Sequence, residues 1–139
     1  MIRKRSTLTT NQLRTHGRPH VLLIDDDPLY RSLVSRQAKD KNIDVTSCAS
    51  LREVQPTKIS RQYDAVIVDY FLDNLMENLK GSDVARIIES TPIILVSSSD
   101  RCIEENIPWP TSIRRFINKN DGVKAILDEI LEQTSRQGQ

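Results

Sequence analysis

Long apolar runs are missing from this chain of 139 residues, and no stretch of about 18 apolar residues is available to cross a membrane. Cysteines are also scarce, since Cys48 and Cys102 are the only two, and they lack the spacing of a metal site. The first twenty residues have no apolar segment typical of a secretory signal. We therefore expect a cytoplasmic protein that does not associate with membranes.

Aromatic residues make up only 4% of the chain, and the first twenty residues contain none. The same twenty residues carry five basic side chains and no acidic one, whereas the remainder has fifteen basic and nineteen acidic residues, a net charge of −4. A basic arm without aromatic side chains for base stacking is a weak candidate for binding nucleic acid. We therefore predict that residues 1–19 form a flexible basic arm.

Five short apolar runs alternate with segments of helical periodicity. The runs within residues 20–24, 65–69 and 91–96 contain β-branched residues and do not alternate with polar residues, which is typical of strands buried on both faces. The run at residues 43–48 alternates, as expected of a strand nearer the edge of a sheet. The order of strands and helices predicts one α/β domain over residues 20–134, with a parallel sheet, right-handed crossovers and helices on both faces. Residues 135–139 are predicted to be a tail.

The helix signals are local. Asp27 and Pro28 suit the cap and first position of a helix. The apolar face predicted for that helix consists of Leu29, Tyr30, Leu33, Val34 and Ala38. A capping-box pattern at residues 50–53 predicts a second helix that Pro56 kinks or shortens. Two further prolines, Pro108 and Pro110, predict a short fourth helix. The last helix is amphipathic, with apolar residues Val123, Ile126, Leu127, Ile130 and Leu131.

Polar residues follow the strands at their carboxyl ends: Asp25 and Asp26 after the first, Asp69 at the end of the third, Ser97 after the fourth and Lys119 after the fifth. In a parallel sheet these ends meet in one crevice. Neighbouring carboxylates repel one another and recruit a cation, and all-oxygen ligands favour Mg²⁺. A lysine and a hydroxyl beside a metal suit a phosphoryl group. The set predicts phosphoryl transfer, with one aspartate as a candidate nucleophile.

From about residue 20 to residue 132 the chain resembles the response-regulator receiver domains of two-component signalling. The motifs that carry this resemblance are Val21-Leu22-Leu23-Ile24-Asp25-Asp26-Asp27-Pro28, Val66-Ile67-Val68-Asp69, Pro92-Ile93-Ile94-Leu95-Val96-Ser97-Ser98 and Phe116-Ile117-Asn118-Lys119. The resemblance implies a doubly wound, flavodoxin-like (βα)5 fold with strand order 2-1-3-4-5, here with a shortened fourth helix.

The resemblance also implies a role for each site residue. Asp69 would accept a phosphoryl group from a histidine kinase, a histidine phosphotransfer protein or a small phosphodonor. Asp25, Asp26 and Asp69, together with the backbone carbonyl of Phe71, would hold Mg²⁺, with Mn²⁺ as a substitute. Ser97 would form a hydrogen bond with a phosphoryl oxygen, and Lys119 would pair with the phosphoryl group. Ser97 and Phe116 together would form the switch.

Two departures from the family pattern lie beside these motifs. Asp69 and Gly81 are twelve residues apart, a longer spacing than is usual in the family, and the extra loop flanks the site. Asn120 follows Lys119 where the family commonly has proline.

Two other functions stay open from the sequence. One is a receiver-like adaptor that does not use phosphorylation. The other is a phosphatase of the haloacid-dehalogenase type, because Asp25-Asp26-Asp27 contains its Asp-x-Asp spacing. We expect no dedicated enzymatic activity beyond self-phosphorylation and autodephosphorylation. No output sequence follows the last predicted helix, so we expect signalling by contact with a separate output protein or by phosphorelay, and homodimerisation stays open.

Overall fold

A computed structural model describes residues 17–55, 58–70, 91–98 and 111–137. These residues contain a parallel sheet of five strands in the order β2-β1-β3-β4-β5. The strands are β1 (His20–Ile24), β2 (Asp44–Cys48), β3 (Ala65–Asp69), β4 (Ile93–Ser97) and β5 (Ile113–Asn118). The predicted fold class and strand order are confirmed.

The composition of each strand matches its place in the sheet. β3 and β4 are buried along their whole length, and β1 is buried after its first residue. Unbroken apolar runs suit these central positions because helices or loops can cover both faces. In β2 only Cys48 is buried, which fits its place at the edge and its alternating sequence.

The first helix, α1 (Pro28–Asp40), begins where Asp27 and Pro28 predict. The Asp27 carboxylate accepts a hydrogen bond from the backbone N–H of Leu29 at 2.9 Å. The predicted apolar face is confirmed for Val34 and Ala38, which are buried, and for Tyr30 and Leu33, which pack at the edge of the core. It is wrong for Leu29, whose side chain is 80% exposed. Leu29 lies about 100° around the helix axis from Tyr30, outside the arc that contacts the sheet.

The second predicted helix is short and divided, as expected from the proline at position 56. Leu51–Glu53 form only a turn of 3₁₀-helix, and the α-helix α2 (Ile59–Gln62) is one short turn. The Glu53 carboxylate still accepts a hydrogen bond from the backbone N–H of Ala49 at 3.0 Å, as a helix-start signal would. Pro56 lies between the two pieces in the sequence, and proline disfavours helical conformation at the residue before it.

Helices lie on both faces of the sheet. One core cluster joins the sheet to α1 and to the last helix, α3 (Val123–Gln137), and the other joins the opposite face to Ile59 of α2. Val123, Ile126, Leu127 and Ile130 of α3 are buried, and Leu131 packs at the edge of their cluster, as predicted. The predicted short fourth helix and the loop after Asp69 lie outside the described residues. Among the helices in the described ranges, none is long and apolar enough to span a membrane.

Candidate functional site

The carboxyl ends of β1 and β3 bring three acidic side chains together. Ile24 of β1 is in register with Val68 of β3, so the residues that come after them, Asp25 and Asp69, are neighbours. One carboxylate oxygen from each of Asp25, Asp26 and Asp69 can be chosen so that all three lie within 4.8 Å of one another. The sequence prediction that these three acids meet is therefore reflected in the geometry of the site.

Burial makes the repulsion among these three carboxylates unfavourable for the stability of the fold. Asp25 is fully buried, Asp69 is 8% exposed and Asp26 is half-buried. Buried like charges disfavour one another because little water screens them. β1 and β3, at whose carboxyl ends the acids lie, are central strands of the sheet.

Lys119 supplies a positive charge to this cluster. Its Nζ lies 2.8 Å from Asp25 Oδ2 and 3.6 Å from Asp69 Oδ2, and its side chain is only 18% exposed. If all four groups are ionised, the three acids and Lys119 together carry a charge of −2. Three carboxylates at this spacing are the oxygen donors that Mg²⁺ accepts, and a divalent cation would balance the charge. The donor set fits the predicted metal.

Asp25 is held on several sides. Its Oδ1 accepts a hydrogen bond from the backbone N–H of Asp27 at 2.9 Å, while its Oδ2 accepts one from Lys119. Its backbone N–H donates to the carbonyl of Cys48 at 3.0 Å, and its own carbonyl accepts from Arg31 Nη1 at 2.7 Å. Both carboxylate oxygens of Asp25 therefore accept hydrogen bonds, one from the loop that carries Asp26 and one from the Lys119 ammonium.

A short turn positions Lys119. Residues Lys119–Asp121 form one turn of 3₁₀-helix, and the Asn118 side chain caps it by accepting a hydrogen bond from the Asn120 N–H at 2.8 Å. Gly122 closes the turn with φ of 95°, a conformation that residues with a Cβ rarely adopt. The Gly122 N–H donates to the Lys119 carbonyl at 3.1 Å. The backbone of Lys119 is thus anchored directly after β5.

Tyr30 is a member of the site that the sequence interpretation missed. Lys119 Nζ lies 4.2 Å from the centroid of the Tyr30 ring. The Tyr30 hydroxyl oxygen is buried and has no hydrogen-bond partner among the described residues. Burial, with the nearby charges of Asp25 and Asp69, raises the pKa of this phenol well above its ordinary value. The signal in the sequence that could have identified Tyr30 was its position in the first turn of the helix that follows Asp25 and Asp26.

Ser97 and Phe116 lie at the neighbouring strand ends. Ser97 is the last residue of β4 and is buried. Phe116 of β5 is in register with Leu95, and both pack in the same core cluster. Because side chains alternate along a strand, Ser97 belongs to the face of the sheet that carries Leu95 and Phe116. Phe71, the remaining predicted site residue, lies outside the described residues.

Comparison with known proteins agrees with the chemistry of this site. No protein-family model matches the sequence. The rice (Oryza sativa, subspecies indica and japonica) protein named two-component response regulator ORR3 is 28% identical, in an alignment that covers 73% of this chain and 89% of the rice protein.

Solved structures share the fold at low sequence identity. A sensor protein from Polaromonas has a TM-score of 0.72 at 19% identity, covering 86% of this chain and 98% of that one. A response regulator receiver domain protein from Clostridium thermocellum has a TM-score of 0.66 at 18% identity, covering 86% and 96%. The receiver domain of a sensor histidine kinase from Pseudomonas aeruginosa, solved with a magnesium ion coordinated in its active-site cleft, has a TM-score of 0.65 at 18% identity, covering 86% and 99%. The chain thus resembles two-component response regulators in sequence and has the receiver-domain fold.

Proposed function

We propose that this chain is a response-regulator receiver that accepts a phosphoryl group on Asp69 and signals through the resulting change in its surface. The observation that carries the proposal is the placement of Lys119. Its ammonium lies between the carboxylates of Asp25 and Asp69, at the edge of the sheet where three acids converge. A cation in this position can stabilise negative charge that arrives on a phosphoryl group.

Magnesium binding is part of the proposal. Asp25, Asp26 and Asp69 would hold the ion, with the Phe71 carbonyl as a further ligand and Mn²⁺ as a substitute metal. Mg²⁺ bound there would neutralise charge on the phosphoryl oxygens and on the attacking carboxylate. The half-buried Asp26 lies nearest to solvent of the three acids, which gives the ion a route of entry.

Asp69 is the better nucleophile of the two buried acids. Asp25 has one oxygen bonded to the Asp27 backbone and the other to Lys119, so neither is well placed to attack phosphorus. Asp69 lies farther from the ammonium and is slightly exposed. In the proposed transfer an Asp69 oxygen forms the new O–P bond while the bond from phosphorus to the donor imidazole nitrogen breaks. The electron pair leaves with that nitrogen, and Lys119 and the Ser97 hydroxyl bond the phosphoryl oxygens.

The same arrangement supports a switch. Ser97 belongs to the sheet face on which Phe116 packs, and Phe116 is only partly buried against that core. Movement of the Ser97 hydroxyl toward a phosphoryl group would free space into which the Phe116 ring can turn. The proposed donor is a histidine kinase or a histidine phosphotransfer protein, and the proposed output is contact with a separate protein or onward transfer in a phosphorelay.

Incubation with Mg²⁺ and acetyl phosphate, followed by mass spectrometry of the intact protein and its peptides, tests the proposal. We expect one phosphoryl group on Asp69, lost in Asp69→Asn and in the presence of a chelator. Asp64→Asn is the matched control, because Asp64 is also buried but lies just before the start of β3, at the opposite edge of the sheet, where its carboxylate accepts the His20 N–H at 2.9 Å. Phosphate on Asp25 would instead indicate a phosphatase of the haloacid-dehalogenase type. No modification, and no spectral change with beryllofluoride, would indicate a phosphorylation-independent adaptor.

A further inference from the structure

The Tyr30 ring forms one wall of the space that holds the Lys119 ammonium. The ammonium lies 4.2 Å from the ring centroid, 2.8 Å from Asp25 Oδ2 and 3.6 Å from Asp69 Oδ2. A lysine side chain has four rotatable bonds, so the contacts at its end decide where the ammonium lies. The face of an aromatic ring attracts a cation within about 6 Å of its centroid, and the attraction grows when water is excluded.

Tyr30 is itself rigidly placed. It lies in the first turn of α1, whose start is set by the Asp27 cap and by Pro28, and it packs against the core cluster beneath that helix. α1 follows β1 after a loop that Asp25 holds through its bond to the Asp27 N–H. Asp25, Asp26 and the ring are therefore carried by one continuous segment, while Asp69 comes to them from the end of β3 and Lys119 from the residue after β5.

The hydroxyl of Tyr30 does not account for its position. The hydroxyl oxygen is buried without a hydrogen-bond partner among the residues that the structure describes. A buried hydroxyl without a partner is unfavourable relative to a bare ring, so no hydrogen bond from the described residues explains why a tyrosine stands here. The contacts that the described residues do provide are made by the ring, which packs against the core cluster and faces the Lys119 ammonium.

We propose that Tyr30 is a positioning residue for Lys119: its ring holds the ammonium between the Asp25 and Asp69 carboxylates, in place to meet a phosphoryl group. The inference rests on the proposed function for what Lys119 does. The contact between Tyr30 and Lys119 can be tested without it.

Proton NMR of the metal-free protein tests the contact directly. Methylene protons next to an ammonium above a ring face are shifted upfield by the ring current. We expect such a shift for the Lys119 ε-methylene, assigned as the resonance that Lys119→Met removes. Tyr30→Leu should return it to the ordinary position, and the conservative variant Tyr30→Phe should restore the upfield shift. An ε-methylene at the ordinary lysine position in the wild type would overturn the proposal.

Phosphorylation kinetics test whether this contact speeds the modification of Asp69. With Mg²⁺ and acetyl phosphate, Tyr30→Leu should slow modification of Asp69 by about 3- to 30-fold, the range expected for one cation–π contact. Tyr30→Phe should rescue the rate because it keeps the ring. Leu33→Ala, in the same helix and at the edge of the same core, controls for loosened packing and should leave the rate within about twofold of wild type.

Two kinetic results would overturn the proposal: a wild-type rate in Tyr30→Leu, or a loss in Tyr30→Phe as large as in Tyr30→Leu, which would assign the effect to the hydroxyl. If the wild-type protein takes up no phosphoryl group, the proposed function fails. The upfield shift and its rescue by phenylalanine then still decide whether Tyr30 positions Lys119.

Discussion

Replacing Asp69 by asparagine should make the metal-free protein more stable, even though the residue is buried and ion-paired. Asparagine has nearly the same shape as aspartate and keeps one oxygen acceptor, so packing changes little. The substitution does change the charge: it removes one of three carboxylates that the fold holds together and leaves Lys119 paired with Asp25 at 2.8 Å. The sign of the effect depends on whether lost repulsion exceeds lost attraction.

The distances in the site allow a first estimate. The nearest oxygens lie within 4.8 Å of one another. At that limit each repulsive pair contributes about 3.5 kcal/mol at an effective dielectric constant of about 20, so Asp69 takes part in about 7 kcal/mol of repulsion or more. Its attraction to Lys119 Nζ at 3.6 Å is about 4.6 kcal/mol on the same scale. Repulsion exceeds attraction by about 2 kcal/mol, and relaxation of the side chains reduces both. We expect Asp69→Asn to raise the free energy of unfolding by about 1–2 kcal/mol.

Urea unfolding followed by circular dichroism, in buffer containing a chelator, measures this change. Asp64→Asn is the control for loss of a buried carboxylate elsewhere in the sheet, just before β3. Asp64 accepts a backbone hydrogen bond from His20, so its neutralisation should weaken that bond and lower stability by about 1 kcal/mol. The two variants should therefore move in opposite directions.

Magnesium should largely cancel the stability advantage of Asp69→Asn over wild type. The ion stabilises whichever protein binds it, and Asp69→Asn offers one carboxylate fewer. If its affinity for Mg²⁺ falls tenfold, the variant gains about 1.4 kcal/mol less than wild type at high Mg²⁺ concentration. An Asp69→Asn protein that is no more stable than wild type in the chelator would refute the view that repulsion dominates this cluster.

Three further predictions concern Lys119, Cys48 and the first helix. Lys119→Met removes the cation from the acids and should lower the stability of the metal-free protein by about 3 kcal/mol in urea unfolding, with Mg²⁺ restoring more stability than it adds to wild type. Burial raises the pKa of the Cys48 thiol from its ordinary 9.0 to about 11. In a Cys102→Ser variant, the Cys48 thiol should therefore react with iodoacetamide at neutral pH at least about tenfold more slowly than an exposed cysteine. A rate equal to that of a model thiol would contradict this. Leu29→Ala should change the free energy of unfolding by less than about 0.5 kcal/mol, whereas Val34→Ala on the buried side of the same helix should cost about 2 kcal/mol.

The strands could be predicted from the sequence because the signal for a buried central strand is local. An unbroken run of β-branched residues such as Val66-Ile67-Val68 cannot keep one face in water, so it predicts a position inside a covered sheet. The acids that follow such runs could be predicted as site residues from the same local signal. Parallel strands present their carboxyl ends at one edge, whatever the details of packing.

The helices show where local signals stop. The apolar periodicity of α3 was long enough to place its buried side, but the signal in the first turn of α1 was too short to show that Leu29 faces solvent. The capping pattern after β2 marked a real turn and not a full helix. Capping is a property of a few residues, whereas propagation of a helix depends on the residues beyond the cap, and here these include Pro56.

The sequence alone therefore determined the fold class, the order of elements and the acids that meet at the sheet edge, since each depends on hydrophobic pattern and chain direction. Tertiary structure alone decided how the charges are arranged. Lys119 is separated by 94 residues from the Asp25 carboxylate it bonds, and the same ammonium faces the Tyr30 ring. No periodicity spans such distances, because strand register and the path of the turn after β5 set which side chains touch.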